Sequence, residues 1–128
     1  MSAPHAATAP ARLDLCGAFV AAACAVHCAA LPFLLGSLGA LGLEWLASER
    51  IGWAVLAMSL ALVLSSLVPS FRRHRKLGPL ALVLSALPAF ALAEAGALPR
   101  DAAALSSALG GGLVAMAHLR NRVLQRDA

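Results

Sequence analysis

The 128-residue chain contains few charged residues and no tyrosine. Asp, Glu, Lys and Arg make up 12% of it, whereas soluble domains carry roughly 25%. Aromatic residues make up only 5%, and the alternating strands and aromatic girdles of a membrane β-barrel are missing. These absences argue against a water-soluble globule and against a barrel. The hydrophobic content of 61%, rich in Ala and Leu, instead predicts helices in a lipid bilayer.

Four stretches of the sequence contain no Asp, Glu, Lys or Arg, and about 20 apolar residues suffice to cross a bilayer. They cover residues 15–43, 51–71, 77–93 and 102–119, and the last two only just reach the required length. We predict an all-α integral membrane protein, a bundle of four transmembrane helices within residues 13–122. Residues 1–12 are predicted to be a disordered tail, and residues 123–128 a C-terminal tail.

The basic residues distinguish the two sides of this predicted bundle. Eight of the ten precede the first stretch, separate the second from the third, or follow the fourth: Arg12, Arg72, Arg73, Arg75, Lys76, Arg120, Arg122 and Arg126. The positive-inside rule then places both termini in the cytoplasm. Because these residues flank apolar stretches and do not form one face, we expect the lipid bilayer as a partner and no nucleic acid.

The acidic residues suggest no catalytic centre. We expect all six to lie in tails or loops, namely Asp14, Glu44, Glu49, Glu94, Asp101 and Asp127. The sequence has no recognisable nucleophile–base pair, phosphate-binding loop or paired carboxylate, so we predict that the protein is not an enzyme.

Two thiols and an imidazole, from Cys24, His27 and Cys28, lie within the first apolar stretch. Their spacing of three and four residues puts them on one face of a helix. Polar groups at this depth are costly and usually mark a pathway or a site, and soft sulfur ligands select soft metal ions. We therefore predict a metal site formed by these three residues. The alternative is that the cysteines pack as small hydrophobic residues while His27 hydrogen-bonds a neighbouring helix.

Three further residues are weaker candidates for metal ligands. Cys16 shares an arc of about 120° with the cluster, although packing explains a single thiol better. His74, in the basic connection, is either a solvated residue near anionic lipid or a ligand at the cytoplasmic side. His118 either extends to the membrane interface or contributes a ligand.

Proline and glycine predict local features of the first and last helices. Pro32 cannot donate to the carbonyl of Cys28, so we expect a bend there and a freed oxygen beside the ligands. The glycines at 110–112 are expected to allow close helix packing and not to act as a hinge.

Three motifs in order resemble the MerC-domain family. They are Cys-Ala-Val-His-Cys at 24–28 with Ala-Leu-Pro after it, Arg-Arg-His-Arg at 72–75, and Ala-His-Leu-Arg-Asn at 117–121. The resemblance covers roughly residues 13–122. It implies a small four-helix protein of the bacterial inner membrane, related to the mercury-resistance membrane protein, whose best-known members take up mercuric ion through cysteine pairs.

The resemblance also assigns residues. It places the intramembrane cysteine pair of the family on Cys24 and Cys28. No cysteine follows Cys28, so the C-terminal cytoplasmic thiols that would receive the ion are missing. His27, His74 and His118 resemble the histidine set of the broader group.

We thus predict binding or transport of a soft metal ion, mercuric ion by analogy with the family, with copper or zinc as substitutes. Two other functions stay open. The first is a haem-binding module that uses His27 and His118. The second is a non-catalytic membrane scaffold or assembly subunit. Because four short helices enclose little space, we expect transport to need a homo-oligomer.

Overall fold

A computed structural model describes the backbone of residues 8–43, 45 and 48–126, and their side chains except those of 8–11, 31–39, 49, 52 and 74. It has four helices, α1 (Thr8–Ala40), α2 (Glu49–His74), α3 (Gly78–Glu94) and α4 (Arg100–Arg126). The described residues contain no strand. Each helix covers most of one apolar stretch, so the prediction of an all-α membrane bundle is confirmed. Helix α1 starts at Thr8 and α4 extends to Arg126, so both helices continue beyond the predicted limits of the membrane domain at residues 13 and 122. The division of the chain into tails and a membrane domain stays a prediction.

The length and hydropathy of three helices suit a membrane span. These spans are Arg12–Ala30, Trp53–Arg73 and Arg100–Arg126. With 17 residues, α3 lies at the lower end of the range of about 17–25 residues that spans need. Large apolar side chains cover the outer surface of the helices, and Phe19 on α1 is 74% exposed. Such a surface is suited to lipid and not to water.

The helices alternate in direction, and α4 packs against the other three. It runs antiparallel to α1, because Gly111 lies against Ala21 while Asn121 hydrogen-bonds Asp14. The start of α1, the α2–α3 connection and the end of α4 therefore share one end of the bundle. We call it the basic end, since it holds Arg12, residues 72–76 and Arg120.

Small residues let α4 approach its neighbours closely. A Cβ on Gly111 would lie 3.0 Å from the carbonyl oxygen of Ala21, and one on Gly110 would lie 2.9 Å from the ring of Phe90. A Cβ on Gly112 would have no atom within 4 Å apart from the nearby backbone of its own helix. The first two glycines thus serve packing, as predicted, and the third faces outward. The buried core beside them consists of Ala21, Val63, Leu67, Ala86, Val114 and Ala117.

Candidate functional site

The side chains of Cys24 and Cys28 form a pair of free, half-buried thiols on α1. The two thiols interact directly with each other. Residues four apart on a helix have Cβ atoms about 5–6 Å apart, which exceeds the separation of about 3.5–4.5 Å in a disulfide. The helix therefore favours two separate sulfur ligands on adjacent turns. We call these two residues the thiol pair.

The thiol pair lies near the middle of α1. The helix runs from Thr8 to Ala40, so Cys24 lies at its midpoint and Cys28 lies one turn farther from the basic end. The carboxylate of Glu94, at the last residue of α3, is close enough to interact electrostatically with Cys28.

The other predicted ligands are not gathered around the thiol pair. Among the side chains that the structure describes, no three from His, Cys, Asp and Glu are grouped to hold a metal ion. His27 is half-buried, and Cys16 is exposed on the surface of α1 and so lies outside the packed core. The side chain of His74 lies outside the described residues, as does that of Pro32. The contribution of His27 and the bend at Pro32 stay predictions.

A second group of polar side chains is buried near the basic end. Asp14 on α1 and His118 on α4 are both 0% exposed. The expectation that every acidic residue lies in a tail or loop is therefore wrong. Glu49, Glu94 and Asp101 lie at helix ends, and Asp14 lies inside α1, which begins six residues earlier, at Thr8, and turns the carboxylate into the bundle. The interpretation of His118 as a side chain that extends to the membrane interface is also wrong.

The carboxylate of Asp14 lies within hydrogen-bond distance of three side chains on α4. Its Oδ1 lies 3.2 Å from Nδ1 of His118, and its Oδ2 accepts from Asn121 Nδ2 at 2.9 Å and from Gln125 Nε2 at 2.8 Å. On α2, the Ser66 hydroxyl lies 3.2 Å from the same Nδ1, and the Ser70 hydroxyl accepts from both amides. We call the set the polar cluster, which comprises Asp14, Ser66, Ser70, His118, Asn121 and Gln125. These bonds offset the cost of burying an acid, which is severe when it is unpaired.

Two atoms of the polar cluster, Oε1 of Gln125 and Nε2 of His118, have no hydrogen-bond partner among the described residues. Nε2 of His118 is buried without a hydrogen bond among the described residues, and leaving such a group unpaired costs about 1–3 kcal/mol. A hydrogen bond from Nδ1 of His118 to the carboxylate of Asp14 requires the tautomer with its proton on Nδ1, and that tautomer of the imidazole has its lone pair on Nε2. A carboxylate on Nδ1 is also the usual support of a metal-binding histidine.

The sequence contained a signal that could have revealed the polar cluster. Asp14, Gly17 and Ala21 follow the spacing i, i+3 and i+7, which places them on one helix face. On α4, His118, Asn121 and Gln125 repeat that spacing. The α1 face has one acid followed by two small residues, and the α4 face has three polar residues, so the two faces could have been paired at the end of the bundle that both helices were predicted to share. Asp14 was missed because it lies beside Arg12, at the edge of the apolar stretch.

Comparison with known proteins identifies one family. A family model described as MerC mercury resistance protein matches residues 14–123. No curated protein and no solved structure matches the chain. The matched region contains the thiol pair and every member of the polar cluster except Gln125.

Proposed function

Because the chain belongs to the MerC mercury resistance family, we propose that it binds a soft metal ion through the thiol pair and carries it across the membrane. The chain is a multi-pass membrane protein related to mercury resistance. Mercuric ion is the proposed substrate, with copper or zinc as the alternative ions. The proposed role is transport without catalysis, and a homo-oligomer would enlarge the space between the helices.

The observation that carries this proposal is the thiol pair itself. Cys24 and Cys28 are free, adjacent and within a membrane-spanning segment. Soft thiolates select soft ions, and they bind in the deprotonated form. Two thiolates also neutralise the double charge of a divalent ion. This neutralisation lowers the cost of holding the ion in a medium of low dielectric constant, where unpaired charge is expensive.

The electrostatic interaction between Cys28 and Glu94 supports capture from the side opposite the basic end. The positive-inside rule assigns the basic end to the cytoplasm, so in a bacterial inner membrane the opposite end of the bundle would face the periplasm. Glu94, the last residue of α3, lies at that opposite end and interacts electrostatically with Cys28, and its negative charge would attract cations. The proposed direction of transport is therefore inward, from the thiol pair toward the basic end.

The two alternative functions receive less support. Haem held by His27 and His118 requires access to the second ring, yet Nδ1 of His118 lies against Asp14 and its ring face lies against Gly17. A scaffold would not require two adjacent thiols in a membrane span. The structure of the thiol pair thus favours metal transport over both.

Mercury accumulation by cells tests the proposal. Cells that produce the wild-type chain should accumulate more mercury than cells without it and should be more sensitive to it. The Cys24→Ser/Cys28→Ser variant should match cells without the protein. Cys16→Ser is the control, because it removes an exposed thiol from the same helix and should behave as wild type. Equal accumulation by the double variant and the wild type, at equal amounts in the membrane, would overturn the proposal.

A further inference from the structure

Five basic side chains are exposed together at the basic end of the bundle. They belong to the end of α2, the connection to α3 and the end of α4, and we call them the basic surface: Arg72, Arg73, Arg75, Lys76 and Arg120. Among the described residues, the only carboxylate at this end is that of Asp14, which is buried and bound within the polar cluster. The basic surface therefore carries an excess of positive charge with no described exposed acid beside it.

The guanidinium group of Arg120 lies against the start of α3. Its Cζ and Nε atoms are each 3.4 Å from the position that a Cβ on Gly78 would occupy. Lys76 and Arg75 precede Gly78 by only two and three residues, so their Cα atoms lie within about 8 Å and about 12 Å of its Cα. The first turn of α3 contains no acidic residue. Like charges from α4 and from the α2–α3 connection are therefore close together, and an anion between them would stabilise this arrangement.

The side chain of Arg120 has no hydrogen-bond or ion-pair partner among the residues that the structure describes. Its planar guanidinium group can therefore form two parallel hydrogen bonds to a phosphate. We propose that the basic surface binds the headgroup of an anionic phospholipid in the membrane leaflet at the basic end, with Arg120 as the principal contact to its phosphate. This binding does not depend on the proposed metal transport.

Exposed apolar side chains beside the basic surface favour a lipid over a soluble anion. Met116, one turn before Arg120 on α4, is 57% exposed, and Leu77, directly before Gly78, is 63% exposed. A phospholipid offers a phosphate to the arginine and acyl chains to these apolar side chains, whereas inorganic phosphate would use only the arginine. The positive-inside rule assigns the basic end to the cytoplasm, and anionic lipids give the cytoplasmic leaflet a negative surface potential. The charges of the two partners are therefore complementary.

Native mass spectrometry of the full chain in detergent counts bound phospholipids and tests the proposal. Phosphatidylglycerol, which is anionic, and phosphatidylcholine, which has no net charge, are added separately with the same acyl chains and at equal concentrations. The wild type should bind phosphatidylglycerol about tenfold more tightly, because several basic residues contribute to its attraction. Arg120→Gln should weaken the binding of phosphatidylglycerol about fivefold. Arg120→Lys, which keeps the charge, should retain most of the binding.

Arg100→Gln is the matched control, because it removes an exposed arginine from the opposite end of the same helix and should leave lipid binding unchanged. Equal binding of the two phospholipids by the wild type would overturn the proposal. Wild-type binding by Arg120→Gln, or an equal loss in Arg100→Gln, would overturn the assignment to the basic surface. Excess inorganic phosphate should leave phosphatidylglycerol bound. Its displacement by phosphate would show a site for the free anion and would overturn the choice of a lipid.

Discussion

The imidazole of His118 occupies the space in which a side chain on Gly17 would begin. A Cβ at residue 17 would lie 2.5–2.7 Å from three ring atoms, Cε1, Nε2 and Nδ1. The ring therefore lies with its face against the backbone of α1. This close packing allows the Nδ1 atom of His118 to reach Asp14, one turn earlier on the same helix.

Replacement of Gly17 by Ala should displace the His118 ring. The ring is held by Asp14 and Ser66 and cannot move away freely, so we expect a loss of about 1–3 kcal/mol in the free energy of unfolding, as is usual for overpacking. Unfolding in mixed detergent micelles measures the loss. If Gly17→Ala were as stable as the wild type, the packing of His118 on α1 would be wrong.

The glycines at 110–112 should differ sharply in their tolerance of alanine. Gly111→Ala should destabilise the bundle by about 1–3 kcal/mol, because its Cβ would meet the backbone of Ala21. Gly112→Ala should be neutral or stabilising by up to about 1 kcal/mol, since its Cβ would meet nothing within 4 Å. The two variants are matched controls in one unfolding series. Equal effects would contradict the α1–α4 interface described above.

Removal of the Asp14 carboxylate should weaken the basic end of the bundle. Asp14→Ala leaves His118, Asn121 and Gln125 without their shared acceptor, and each buried group left without a hydrogen-bond partner costs about 1–3 kcal/mol. The control is Asp101→Ala, which removes an exposed acid from the first turn of α4 and should cost at most about 1 kcal/mol. Similar unfolding energies for the two variants would show that Asp14 is not a buried acceptor.

The four-helix architecture could be predicted from the sequence because it depends on the length of the apolar stretches and on the absence of charged residues within them. Four charge-free stretches of sufficient length require helices in a bilayer, where every backbone polar group must be bonded within the segment. The glycines at 110–112 could be assigned to packing for a similar reason, since small residues are how membrane helices approach each other.

The polar cluster could not be predicted from the properties of any single stretch of sequence, because its residues meet only through contacts between different helices. Asp14 looked like a flanking charge beside Arg12, and only the rotation of α1 against α4 brings it within 3.2 Å of His118. The thiol pair needed no such information, since a spacing of four residues on one helix is local. The ion that it binds depends on chemistry that neither the helix spacing nor the packing specifies.

The most direct measurement of the central claim is the metal content of the purified protein. The wild type, Cys24→Ser/Cys28→Ser and Cys16→Ser would be purified anaerobically in detergent, exposed to mercury, copper, zinc and iron, and measured by mass spectrometry. We expect close to one mercury per chain that survives washing in the wild type and in Cys16→Ser, and its loss in the double variant. Equal, negligible mercury in all three proteins would contradict the claim and would favour the scaffold interpretation.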